Sequence, residues 1–122
     1  MIELDDRPDD EFITVRLNGF QSTSEFASFG EALAQLRSDR KHLRVLFDWT
    51  RLEGWDAKDE IASSCRSWQK RSLVIERMAI VHEHQWNRQA ALLGAVLRTE
   101  VRLVRSWIPR DLAKAVAWLR QI

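Results

Sequence analysis

The chain has 122 residues, of which 45% are hydrophobic and 30% charged, with a formal net charge of +1 and a single cysteine. That length fits one domain with a core of ordinary size, and the apolar content excludes a disordered chain. Cys65 has no partner for an internal disulfide, no run of about 18 apolar residues offers a membrane span, and the acidic opening "MIELDDRPDDE" lacks the basic and apolar regions of a signal peptide.

A single cytoplasmic domain over residues 1–122 is therefore expected, and its elements are read in chain order. "IEL", a polar turn and "EFITVRLNG" form a β-hairpin, because Ile13, Val15 and Leu17 alternate with Thr14 and Arg16. "STSEFASFGEALAQLRSD" is a helix: Ser22 and Glu25 have capping-box spacing, and Phe26, Phe29, Leu33 and Leu36 share a face. "LRVLFDW" is a continuous apolar run of the kind buried on both faces of a parallel sheet. Asp56 is placed to cap a second helix carrying Ala57, Ile61, Cys65 and Trp68 on one stripe.

"RMAIVHE" follows as a further buried strand, then a helix with Trp86, Ala90, Leu93 and Leu97 on its apolar side. "VRLVRSW" is the last strand. "PRDLAKAVAWLRQ" is the last helix, with Pro109 in its first turn and Leu112, Ala115 and Leu119 on the buried side. The plan is an α/β fold, a mixed and mostly parallel sheet in which an N-terminal β-hairpin is followed by αβαβαβα.

The small net charge hides an asymmetry. Residues 1–61 carry 8 basic and 14 acidic side chains, a net −6, whereas residues 62–122 carry 11 basic and 4 acidic, a net +7. The two halves can neutralise each other once folded, or the basic half can attract an acidic partner. Nucleic acid is not the expected partner: Arg98, Arg102, Arg105 and Arg110 gather near the last strand without aromatic residues at stacking positions, and arginines on a solvated sheet edge also block aggregation. No nucleophile motif, Gly-rich phosphate loop or Cys-His zinc spacing is present, so neither enzymatic activity nor a cofactor is expected.

The order of elements, with "LFDWTRLEGWD", "RMAIVHEHQW" and "EVRLVRSWIPRDLAKAVAWL" in sequence, resembles the SpoIIAA-like superfamily and, within it, small stand-alone bacterial STAS-like proteins. Asp48 at a strand end, Gly54 and Trp55 in the next loop, Trp86 after the "AIV" strand and the closing Ala115, Trp118 and Leu119 carry the resemblance. It implies a cytoplasmic binding or regulatory module. In anti-sigma factor antagonists of this fold, a serine at the helix start after the central strand is phosphorylated to switch partner binding. Here that position reads Gly54, Trp55, Asp56, Ala57, with no serine, and Ser63 and Ser64 fall about two turns later. Asp56 supplies a fixed negative charge at the same helix start.

Ligands of open α/β sheets bind beyond the carboxyl ends of the parallel strands. Trp49, Trp55, Trp86 and Trp107, four of the six tryptophans, map to that edge. With Gly54 and Asp56 they are the candidate binding residues, either for a protein partner or second copy of the chain, or for a small apolar ligand, since the superfamily is similar in architecture to CRAL-TRIO lipid-transfer domains. Each tryptophan alone is better explained as a plug between a loop and a helix, but core packing alone does not explain the concentration of four at one edge. His82 and His84, with Asp48 from a neighbouring strand, are the nearest approach to a metal site, although two histidines at that spacing do not define one.

Overall fold

A computed structural model describes residues 2–5, 12–21, 43–55, 75–96 and 101–121. The expected helices over 22–39 and 56–71, with Ser22, Glu25, Asp56, Cys65 and the 63–64 serine pair, lie outside the described residues.

Five strands form one sheet: β1 (Ile2–Asp5), β2 (Ile13–Gln21), β3 (Leu43–Trp55), β4 (Ile75–Val81) and β5 (Val101–Trp107), in spatial order β1-β2-β3-β4-β5. β1 runs antiparallel to β2, with Ile2 opposite Leu17 and Asp5 opposite Thr14, while every later pairing is parallel. After β4 the chain makes a 3-10 turn (His84–Trp86) and enters α1 (Asn87–Val96), and after β5 a second 3-10 turn (Pro109–Asp111) leads into α2 (Leu112–Leu119). The mixed, mostly parallel α/β plan expected from the alternation of apolar runs is the plan observed.

The core divides between the two faces of the sheet because side chains alternate along each strand. On the first face Ile13, Val15 and Leu17 of β2, Val45, Phe47 and Trp49 of β3, and Met78 and Ile80 of β4 pack together with Ala90 and Leu93 of α1. On the second face Leu46, Ala79 and Val81 meet Phe12 and the α2 residues Ala115, Trp118 and Leu119. β3 and β4 bury residues of both parities, which is why they read as unbroken apolar runs.

Leu112 departs from expectation. It opens α2 directly after the 3-10 turn and remains 40% exposed, whereas the buried side of the helix is centred on Ala115, Trp118 and Leu119.

The end of α2 is tied to the sheet through its carbonyl groups, which would otherwise lack intrahelical donors. Arg77 of β4 donates from Nη1 to the Trp118 carbonyl at 2.6 Å, and its guanidinium lies 5.2 Å from the centre of the Trp118 ring. Arg44, in register with Arg77, donates to the carbonyls of Leu119 and Gln121. Glu76 holds Arg44 in place, with its Oε1 accepting from Nε at 2.9 Å. Two cations thus stand at the negative end of the helix dipole.

Candidate functional site

The carboxyl edge of the sheet is built differently from the loop expected after "LRVLFDW". β3 continues to Trp55 and the stretch from Asp48 to Trp55 is strand, not loop. The reason is β2, which also runs on and supplies a partner: Asn18 faces Arg51, Gly19 faces Leu52, Phe20 faces Gly54 and Gln21 faces Trp55. Two register irregularities, between Arg16 and Asn18 and between Gly19 and Phe20, bend this extension. Gly19 takes φ of 70°, a left-handed conformation that glycine adopts without the penalty of a Cβ and that commonly accompanies bulges.

The irregularity brings the ring of Phe20 across Gly54. A Cβ at Gly54 would stand 2.6 Å from Cε1 of Phe20, so the glycine leaves the space that the ring occupies. Phe20 is nevertheless 64% exposed, a large aromatic surface at the end of the β2–β3 ladder. Replacing Gly54 with alanine is expected to push the ring off the strand at a cost of about 1 kcal/mol. A shift of the Phe20 ring resonances, with a small fall in melting temperature, would register both effects.

Beneath this surface Trp49 is fully buried. Its ring meets Phe47 edge-on at 5.6 Å and 88°, and Trp55 at 5.6 Å and 73°. The His82 ring lies 6.2 Å away, tilted by 51°. Trp55 and Trp86 both pack against the first-face core to which Trp49 belongs. Trp107 does not join them. It packs on the second face, 5.2 Å from Trp118, with the Arg105 guanidinium 5.2 Å above its own ring. The single rim of four tryptophans is therefore not assembled: alternation along the strands sends Trp107 to the opposite side, and Trp49 serves the core. Asp56 lies outside the described residues.

The possible metal ligands are also kept apart. Asp48 is in register with Val81, a second-face residue, whereas the ring of His82 turns toward Trp49 on the first face. Asp48 Oδ1 accepts from the Thr50 N–H at 2.9 Å and from its hydroxyl at 2.7 Å, and Oδ2 lies 3.7 Å from Arg16 Nε. Buried His82 donates from Nδ1 to the Glu83 carbonyl at 2.8 Å, and its backbone N–H bonds the Trp107 carbonyl at 3.0 Å. His84 is exposed at the start of the 3-10 turn. Among the described residues no three His, Cys, Asp or Glu side chains gather as a metal set.

The sequence reading missed Phe20, because it ended the second strand at Gly19. The available signal was an aromatic residue directly after Asn18-Gly19, where a bulge restarts the alternation.

The SpoIIAA-like family matches residues 12–120. The chain belongs to that family. Two solved structures share its fold. One is an uncharacterized protein with a SpoIIAA-like fold from Shewanella loihica PV-4, with TM-score 0.63 and 16% identity over 98% of this chain and 92% of that one. The other is the anti-sigma factor antagonist SpoIIAA in its unphosphorylated form, with TM-score 0.54 and 12% identity over 100% of both chains. No curated protein is similar enough to match. At these identities the likeness is one of fold. Among its described residues, no helix is long and apolar enough to cross a membrane.

Proposed function

We propose that this SpoIIAA-like chain is a non-catalytic cytoplasmic module that binds a protein partner at the sheet edge formed by Phe20, Gly54 and Trp55. The observation that carries this reading is Phe20, which presents 64% of its surface to solvent over a glycine in a strand otherwise packed into the core. Exposed aromatic rings are enriched at protein interfaces, where a few such anchors supply most of the binding energy. Trp55, the residue after Gly54, is partly buried against the first-face core and rests edge-on against Trp49. The Phe20 ring is seated in the space left by Gly54, so little side-chain freedom is lost when a partner covers it.

The serine-based switch of anti-sigma factor antagonists has no counterpart at residues 54–57, so recognition here rests on shape rather than on phosphorylation at that position. Replacing Phe20 with serine is expected to weaken capture of the partner by at least about tenfold, since a truncated hot spot costs more than about 1.4 kcal/mol. Because the ring is mostly exposed, stability should change by less than about 1 kcal/mol. Titration of the captured partner against both forms, with parallel thermal melts, tests the reading. Equal affinity for the two forms would reject it.

A further inference from the structure

The two outer strands of the sheet differ in charge and in the face on which each residue type lies. β1 carries Ile2 and Leu4 on the first face: Ile2 packs against that core, and Leu4, 37% exposed, stands opposite first-face Val15. Its acidic residues point the other way, with Glu3 opposite Arg16 and Asp5 within 3.8 Å of the Arg16 guanidinium. β5 has the complementary arrangement. On the first face, Val101 and Val104, with Arg102 and Ser106, line an open groove of about 470 Å³ against the small α1 residues Ala90 and Gly94. On the second face, exposed Arg105 lies over Trp107, and Leu103 is 51% exposed.

We propose that the β5 edge is a docking site for β1 of a second copy of this chain, forming head-to-tail assemblies in which the sheet continues from one copy to the next. A copy set down in the same sense lays its β1 antiparallel to β5. Its Ile2 and Leu4 then face the α1 groove, and its Glu3 faces Arg105. Both faces match in one placement. Edge-strand addition of this kind takes its affinity from main-chain hydrogen bonds and its choice of partner from the alternating side chains. A two-fold pairing of β5 with β5 brings together two edges that each carry exposed Arg102 and Arg105, so like charge opposes the symmetric dimer. A heterologous contact that does not close adds copies without limit. This surface is separate from the Phe20 edge, and the proposal stands without it.

Sedimentation velocity on the full chain tests this, using wild type, Glu3→Arg, Arg105→Glu and an equimolar mixture of the two variants. The expected result is that wild type grows past the dimer as concentration rises at low ionic strength. It should dissociate in about 1 M salt, where the Debye length falls to about 3 Å. Each variant alone should remain monomeric. The mixture should again grow past the dimer as wild type does, because one junction keeps the native pair and the two reversals restore opposite charge at the other. Hydrogen exchange on wild type provides a readout independent of variant folding, with the amides of Val101–Trp107 gaining protection as concentration rises. A wild type that is monomeric at all concentrations would overturn the proposal, as would association that survives both substitutions or a mixture that remains monomeric. Binding of a synthetic acidic peptide at β5 without self-association would also overturn it, by assigning the edge to a different occupant.

Discussion

Replacing Trp49 with alanine is expected to lower the stability of the fold by about 4 kcal/mol, the scale for deleting a buried tryptophan ring whose surroundings relax only in part. At this chain length that is a fall of roughly 15 °C in melting temperature. The expectation rests on position. Trp49 is fully buried, and its ring is the shared contact of Phe47, Trp55 and His82. Loss of the ring leaves three neighbours facing a cavity, one of them a histidine. Against a total stability of about 5 to 15 kcal/mol, a loss of this size puts the chain near the limit of folding. Trp49→Phe should cost much less, about 1 to 2 kcal/mol, because the indole N–H meets no hydrogen-bond partner among the described residues and its removal breaks no bond. Denaturant unfolding of the two variants measures the difference directly. Similar costs for both would contradict this, by showing that the ring volume phenylalanine retains does not support the stack.

A second large effect is expected at Arg44, where substitution by methionine should cost about 2 to 3 kcal/mol. Its side chain is 16% exposed and that of Glu76 25% exposed, so the pair is partly shielded from salt and water. Methionine preserves most of the aliphatic packing but removes the donors to Glu76 and to the carbonyls of Leu119 and Gln121. Bonds to charged groups are worth about 1.5 to 3 kcal/mol, which sets the scale of the loss. Arg44→Lys should recover only part of it, since one ammonium cannot span the acceptors that the planar guanidinium reaches. The signature is local: amide exchange should accelerate along α2 ahead of the rest of the fold. Uniform acceleration across all strands would mean that Arg44 does not act through the helix end.

How far the sequence foretold this architecture follows from which residues dominate it. β4 and the first half of β3 are buried on both faces, so Val45–Leu46–Phe47 and Met78–Ala79–Ile80 are apolar without interruption and legible as central strands. The hairpin was legible for the opposite reason: Arg16 and Thr14 alternate with a buried row. What was not legible is the far half of β3. Thr50, Arg51 and Glu53 are exposed there, and the stretch reads as a polar loop unless the ladder partner from β2 is known. Pairing is a long-range property, and local pattern does not encode it.

The candidate site suffered from the same gap. Trp49, Trp55 and Trp86 do come to one face, but Trp107 sits on the other, because side-chain parity at the end of β5 is set by a register that no local signal fixes. Phe20 was hidden by the bulge at Gly19, which moves the strand end two residues beyond the apparent turn signal. Arg44 and Arg77 read as ordinary charged residues in strands. Their work is on α2, more than 40 residues away in the chain.

Site-specific photocross-linking tests the central claim most directly: that the Phe20, Gly54 and Trp55 edge is where this module meets its partner. A benzophenone amino acid placed at position 20 keeps an aromatic ring over Gly54, and the same residue at Leu112, an exposed apolar position on α2, serves as the control. On irradiation in the cells that make the protein, a discrete protein adduct is expected from position 20 and not from position 112, and it should disappear when Trp55 is replaced by serine. No adduct at position 20, or the same adducts from both positions, would contradict the assignment of this edge as the binding surface.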